Sequence, residues 1–177
     1  MANYQKVKAV FFDRDGTLIK TNYFEGKPIA NNEITKIELN PNAKKVINKL
    51  KNNGYSVILV TNQPDVEAGK TTKEKVDQIN FYLKELLNLD LIKVTYLSEK
   101  SDPIMYKPSP GMLLESEVEL NLDLSSSYIV GDRWRDIGAG KNAGCKTILI
   151  GNLKEENFIE PDFKISDLEE IIEIILN

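Results

Sequence analysis

The chain alternates short apolar runs with amphipathic stretches. Ala9 to Phe12, Ser56 to Val60, Ile92 to Leu97, Ser127 to Val130 and Lys146 to Ile150 are rich in Val, Ile, Leu and aromatic residues. Such runs read as strands of a sheet covered on both faces. Between them the spacing predicts helices. One runs from about Pro41 to Asn53, with Asn40 as N-cap, Pro41 in the first turn and Gly54 as the stop. A second spans about Thr72 to Asn88 and carries the stripe Val76, Ile79, Leu83, Leu86 and Leu87. Ser109 and Pro110 open a third that continues to about Leu120, and a shorter helix stops near Gly144. At the end of the chain, Ser166 to Glu169 reads as a capping box ahead of Leu168, Ile171, Ile172 and Ile175. Ile19 to Asn40 is polar and irregular.

Strands alternating with helices predict an α/β fold, a Rossmann-like three-layer sandwich with a central parallel sheet. With 177 residues, a single domain over 1–177 is expected. Neither Ile19 to Asn40 nor the stretch between the second and third strands has room for a folded cap domain. In such sheets ligands bind beyond the carboxyl ends of the strands.

Composition narrows the chemistry. The chain has no histidine and one cysteine, Cys145. This excludes a Ser-His-Asp triad, an imidazole base and a Cys/His zinc site. One cysteine also excludes an internal disulfide and fits a reducing, cytoplasmic setting. The net charge of -4 argues against a nucleic-acid partner, because phosphate backbones select basic faces. No apolar stretch approaches membrane-spanning length, and the first residues lack a signal-peptide pattern, so no membrane partner is expected. Carboxylates and lysines must carry any catalysis, with a hard metal ion as the natural helper.

Four strand ends supply such groups. Asp13 and Asp15 follow the first, with Gly16 allowing the turn. Thr61 and Asn62 follow the second, Lys107 lies beyond the third, and Asp132 and Asp136 follow the fourth. Each has an ordinary explanation alone: an acidic turn, a surface lysine, a helix cap. Their convergence on one edge of the sheet does not.

In this order the segments Phe12 to Thr17 (FDRDGT), Val60 to Asn62 (VTN), Lys107-Pro108 and Gly131 to Asp136 (GDRWRD) resemble the four motifs of the haloacid dehalogenase superfamily of aspartate-nucleophile phosphotransferases. The resemblance runs from about Val7 to Ile150. DRDGT, TNQ, KPxPGM and GDRWRDIxAGxxAGC are similar to the branch of heptose-bisphosphate and histidinol phosphatases. That branch often carries a Cys/His zinc loop before the lysine; Ser98 to Tyr106 has neither residue type, so no zinc is expected, and Tyr106 stands where an arginine is usual.

The resemblance implies a magnesium-dependent phosphomonoesterase of a small phosphorylated sugar. D-glycero-D-manno-heptose 1,7-bisphosphate is the first candidate substrate and histidinol phosphate the alternative. A catalytically idle sugar-phosphate binding module is the alternative of another class. The resemblance implies Asp13 as nucleophile and Asp15 as acid and base, with Thr61 and Lys107 holding the transferring group. Asn62 and Arg133 would contact substrate. Magnesium would be held by Asp13, the carbonyl of Asp15 and Asp132, with Asp136 orienting that shell. A monomer or small homo-oligomer is expected. The cleft should be walled by Tyr23 to Lys27, Pro64 to Lys70 and Glu99 to Tyr106.

Two patterns imitate nucleotide sites. Gly69-Lys70-Thr71 resembles the end of a P-loop, but the position of its first glycine is Pro64, which has no N–H. Gly138 to Ala143 fits a GxGxxA pattern, yet lies well past its strand and reads as close helix packing.

Overall fold

The structure is a computed structural model and describes residues 5–24, 27–29, 33–152 and 157–177. Its centre is β1 (Ala9–Phe12), whose residues are all buried. Val10 and Phe12 belong to one core and Ala9 and Phe11 to another, as strand alternation requires. The first core packs under α1 (Ala43–Asn52), α2 (Lys73–Leu87) and α5 (Glu170–Leu176). The second packs under α3 (Gly111–Leu120) and α4 (Trp134–Ala143). Each fully buried apolar side chain contributes about 1.5–3 kcal/mol relative to exposure. Two independent apolar layers therefore hold β1 in place, and with it the residues at its end.

β1 is flanked by β4 (Ser56–Asn62) and β6 (Tyr128–Gly131), both parallel to it. β5 (Leu91–Thr95), β7 (Lys146–Ile150) and β8 (Phe163–Ile165) complete an all-parallel sheet in the order β5-β4-β1-β6-β7-β8. The chain moves outward from β1 through β4 to β5, then returns to the other side of β1 at β6. The strand order reverses there, and the crevice opens at the carboxyl ends of β1, β4 and β6.

Several details differ from the sequence expectations. β8 is a sixth strand, and Ile19 to Asn40 is not simply irregular. It contains an antiparallel hairpin, β2 (Asn22–Phe24) with β3 (Lys27–Ile29), and a short 3-10 turn at Ile34–Lys36. Helix α1 begins later than expected, after Asn42 with φ 65°. Asn40 does not cap it: its side-chain amide donates to the carbonyls of Gly16 (3.1 Å) and Thr17 (2.7 Å), bracing the turn after β1. Ser109 does not cap α3 either; its hydroxyl donates to the Pro103 carbonyl at 2.6 Å. At α5 the acceptor is Glu170 rather than Glu169. Glu170 receives Ser166 N, Ser166 Oγ and Asp167 N at 2.8–2.9 Å, while Glu169 pairs with Lys45. Gly138 and Gly140 lie inside α4. A Cβ on Gly140 would stand 2.2 Å from Ile129 Cγ2, so close packing explains that pattern.

Candidate active site

The carboxyl ends of three strands and the start of α4 surround a cavity of about 390 Å³, within the range of small-molecule sites. Asp13, Asp15, Thr61, Asn62, Lys107, Asp132, Arg133 and Asp136 all line it. The fold thus brings together the residues expected to act in catalysis, substrate binding and metal binding, whereas Val66 to Lys70 and Glu99 to Met105 of the expected walls do not line the cavity. Pro64, Asp65 and Tyr106 contribute from the two expected walls. The side chains of the third, Tyr23 to Lys27, lie outside the described residues. Gln63 and Arg135, which stand inside the TNQ and GDRWRD segments without a role assigned there, also line the cavity.

Lys107 is the hub. Its Nζ donates to Asp13 Oδ1 (2.7 Å), Asp136 Oδ1 (2.6 Å) and the Val60 carbonyl (2.9 Å). All three N–H groups are used, which allows an ammonium only 2% exposed to remain charged. Burial works against that charge, but the Asp13 and Asp136 carboxylates outweigh it and hold the lysine pKa above its ordinary value. Asn62 fixes the lysine's backbone: its Oδ1 accepts from Lys107 N and its Nδ2 donates to the Lys107 carbonyl, each at 3.1 Å. Both polar ends of this expected substrate contact are therefore engaged with Lys107. The following peptide bond, Lys107-Pro108, is cis.

Asp136 stands in the first turn of α4, where the helix dipole favours an anion. Its Oδ2 accepts from Arg133 N at 3.1 Å, so both its oxygens have donors. Asp132 is different. Its Oδ1 is buried and has no hydrogen-bond donor among the described residues, and the Arg133 guanidinium lies 3.9 Å from its Oδ2.

Carboxylate oxygens of Asp13, Asp132 and Asp136 come within 4.8 Å of one another. Three carboxylates around one ammonium leave a surplus of negative charge. Burial, reinforced by Asp136 and Asp15 and opposed by Lys107, raises the Asp13 pKa to about 7. Burial, together with the charges of Asp13 and Asp136, raises Asp132 to about 8. A hard divalent cation would neutralise this surplus and give the bare Asp132 Oδ1 a partner, so an all-oxygen metal site fits the residues present.

Two glycines make the approach possible. Gly16 has φ +88°, and a Cβ there would stand 2.2 Å from Asp132 Oδ2. At Gly131 a Cβ would meet Asp136 Cβ at 2.2 Å. Any larger residue at either position would push a site carboxylate out of place.

Asp15 Oδ2 accepts from Arg14 Nε (2.9 Å) and Gln63 Nε2 (3.0 Å), and Gln63 Nε2 also donates to Thr61 Oγ1 at 2.9 Å. On the outer wall Arg135 lies over the Trp134 ring, 4.6 Å from its centroid, with Glu99 at 3.7 Å.

A family profile described as Polynucleotide kinase 3 phosphatase matches residues 8–170. A D-glycero-beta-D-manno-heptose-1,7-bisphosphate 7-phosphatase of Pasteurella multocida is 33% identical, with 81% of each chain covered. A D-glycero-D-manno-heptose-1,7-bisphosphate 7-phosphatase of Chlorobaculum tepidum is 29% identical over 95% of this chain and 94% of its own. Among solved structures, a HAD-like phosphatase from Mesorhizobium loti superposes with TM-score 0.79 and 28% identity, covering 97% of this chain and 85% of the other. A D,D-heptose 1.7-bisphosphate phosphatase from B. bronchiseptica, complexed with magnesium and phosphate, shares the fold at TM-score 0.79 and 23% identity, covering 96% and 98%. With its strand-end carboxylates and buried lysine, the chain belongs to the family described as polynucleotide kinase 3 phosphatase, within the haloacid dehalogenase superfamily of phosphatases.

Proposed function

We propose that this phosphatase removes the 7-phosphate of D-glycero-D-manno-heptose 1,7-bisphosphate through an aspartyl-phosphate on Asp13. The observation that carries the mechanism is the Asp13–Lys107–Asp136 cluster at the end of β1, buried yet facing the cavity. The names of the similar proteins support the substrate.

A phosphate monoester repels an anionic nucleophile unless cations screen its oxygens. Lys107 is held where it can do so while keeping Asp13 oriented. A carboxylate oxygen of Asp13 attacks phosphorus, the ester P–O bond breaks, and its electron pair goes to the sugar oxygen. Asp15 gives that oxygen a proton. In the second step Asp15 takes a proton from water, the water oxygen attacks phosphorus, and phosphate leaves with Asp13 regenerated. Thr61 and Lys107 hold the transferring group, and Arg133 reaches toward the rest of the substrate.

We assign magnesium to Asp13, the Asp15 carbonyl and Asp132, with Asp136 orienting the shell and no zinc. When bound, the ion supplies charge neutralisation at the phosphoryl oxygens. The single, buried Cys145 accords with a cytoplasmic setting, and among the described residues no helix is long and apolar enough to cross a membrane.

The test is phosphate release across a panel: the heptose bisphosphate, histidinol phosphate, and a 3′-phosphorylated oligonucleotide, each with and without magnesium. The expected result is the highest kcat/KM on the heptose bisphosphate, lost with chelator. A higher value on either rival overturns the substrate assignment, and metal-independent turnover overturns the magnesium assignment.

A further inference from the structure

Arg14 sits between the two aspartates at the end of β1 but does not line the cavity. Its side chain is wholly buried and is among the largest such side chains in the protein. A buried guanidinium cannot shed its proton, so its burial has an electrostatic cost that an apolar residue of similar size would avoid. Its contacts suggest what that cost supports. Nε donates to Asp15 Oδ2 at 2.9 Å, and Nη1 donates to Asn80 Oδ1 at 3.1 Å. Asn80 is a polar residue in the otherwise apolar buried face of α2, which also buries Val76, Ile79, Leu83 and Leu87. The guanidinium plane is rigid, so these two bonds make a strut from α2 to the carboxyl group of Asp15.

We infer that Arg14 is a positioning residue, anchored through Asn80, that fixes Asp15 for proton delivery to the departing alkoxide. This rests on the assignment of Asp15 as the acid. Asp15 follows the last residue of β1 by three positions, and its side chain is 27% exposed. The carboxyl group is therefore aimed by its donors rather than by packing. Gln63 approaches the same oxygen from β4's end, but its amide is shared with Thr61. Arg14 supplies a charged donor and a tie to a helix. Proton donation requires the acid within hydrogen-bond reach of the leaving oxygen, and small misplacements are costly.

This role has a signature that simple destabilisation lacks. A sugar alkoxide leaves poorly without a proton, whereas p-nitrophenolate leaves well without one. The ratio kcat/KM reports only the steps up to leaving-group departure, so the second half of the cycle does not enter it. The experiment measures kcat/KM with glycerol phosphate and with p-nitrophenyl phosphate, under saturating magnesium, for Asp15→Asn, Arg14→Lys and Asn80→Ala.

Asp15→Asn should lose about 10²–10⁴-fold on the alkyl ester and far less on the aryl ester. Arg14→Lys keeps the charge but loses the fork. It should lose between about tenfold and 10²-fold on the alkyl ester, with the same bias. Asn80→Ala, which lies outside the cavity, should show the bias in smaller measure. It decides the matter should Arg14→Lys fail to fold. An Asn80→Ala enzyme that matches the native one on both esters, or loses equally on both, overturns the inference. If Asp15→Asn itself shows no leaving-group bias, it is the assignment of Asp15 as acid that fails.

Discussion

Asp13, Lys107 and Asp136 form a floor of the cleft made of charges taken out of water; Ser98 to Tyr106, which reaches the cleft at Tyr106, is a surface loop tied by hydrogen bonds. The first region is held by two apolar cores, and its ionic groups satisfy one another. Asp13, Lys107 and Asp136 are 8%, 2% and 1% exposed, and Lys107 has no unused N–H. In the second, Asp102 accepts from Thr95 Oγ1 (2.9 Å) and Met105 N (3.1 Å). Glu67 accepts from Ser98 N at 2.8 Å and from Ser101 Oγ. No cysteine or histidine lies in this loop, and local carboxylates close it. The difference teaches where each kind of change is tolerated. The buried cluster cannot lose a member without leaving an uncompensated charge, whereas the loop can exchange residues at about the strength of single hydrogen bonds.

The largest effect expected from breaking this contrast is at Lys107. Lys107→Met leaves Asp13 and Asp136 buried without their cation. Removing one partner of a buried pair costs about 3–5 kcal/mol of stability, and losing the phosphoryl-screening charge costs about 10²–10³-fold in kcat. Denaturant unfolding and steady-state kinetics on the same preparation check both. Near-native stability would mean the cluster is not the electrostatic unit described here.

A second prediction concerns protons and metal. The Asp13 and Asp132 carboxyls rise from 3.8 to about 7 and about 8 in the metal-free protein. Through that window the folded chain holds protons that the unfolded chain has released, so metal-free stability falls as pH rises. Magnesium competes with those protons. The rise in Tm on adding magnesium should therefore be larger at about pH 8 than at about pH 6. Equal shifts at the two values, measured by thermal denaturation, would contradict the charge-surplus account.

The smallest effect is expected in the loop. Asp102→Ala removes two accepted bonds at a net cost of about 0.5–1.5 kcal/mol each. It should change the ranking of phosphorylated sugars by kcat/KM while leaving phosphoenzyme formation nearly intact, and replacing Glu99 to Met105 with a glycine-serine linker should extend the same change. An untouched ranking in both would show that this wall does not select the sugar.

What could be read in the sequence follows the same division. β1 was legible because its apolar run is buried on both faces, and the residues at the strand ends were legible because strand direction places them. β8 was not, since two of its three residues are exposed and it carries no pattern. The caps at Asn40 and Ser109 failed because tertiary partners, the turn after β1 and the Pro103 carbonyl, took those side chains. Glu170 displaced Glu169 by one position, a shift that spacing alone does not resolve. Gln63, Arg135 and Arg14 stand inside TNQ, GDRWRD and DRDGT, but those segments assign roles to their neighbours and none to them. For Arg14 a further signal was Asn80, a polar break in the α2 stripe that marks a buried partner.

The central claim is that the Asp13 carboxylate itself carries the phosphoryl group. Rapid acid quench with a radiolabelled phosphate ester, followed by peptide mapping, tests it directly. Label should reach the peptide containing Asp13 within one turnover, in a magnesium-dependent way, and be absent from Asp13→Asn, whose turnover should fall to background. Sustained turnover by Asp13→Asn, or label on another residue that persists in that variant, would contradict it.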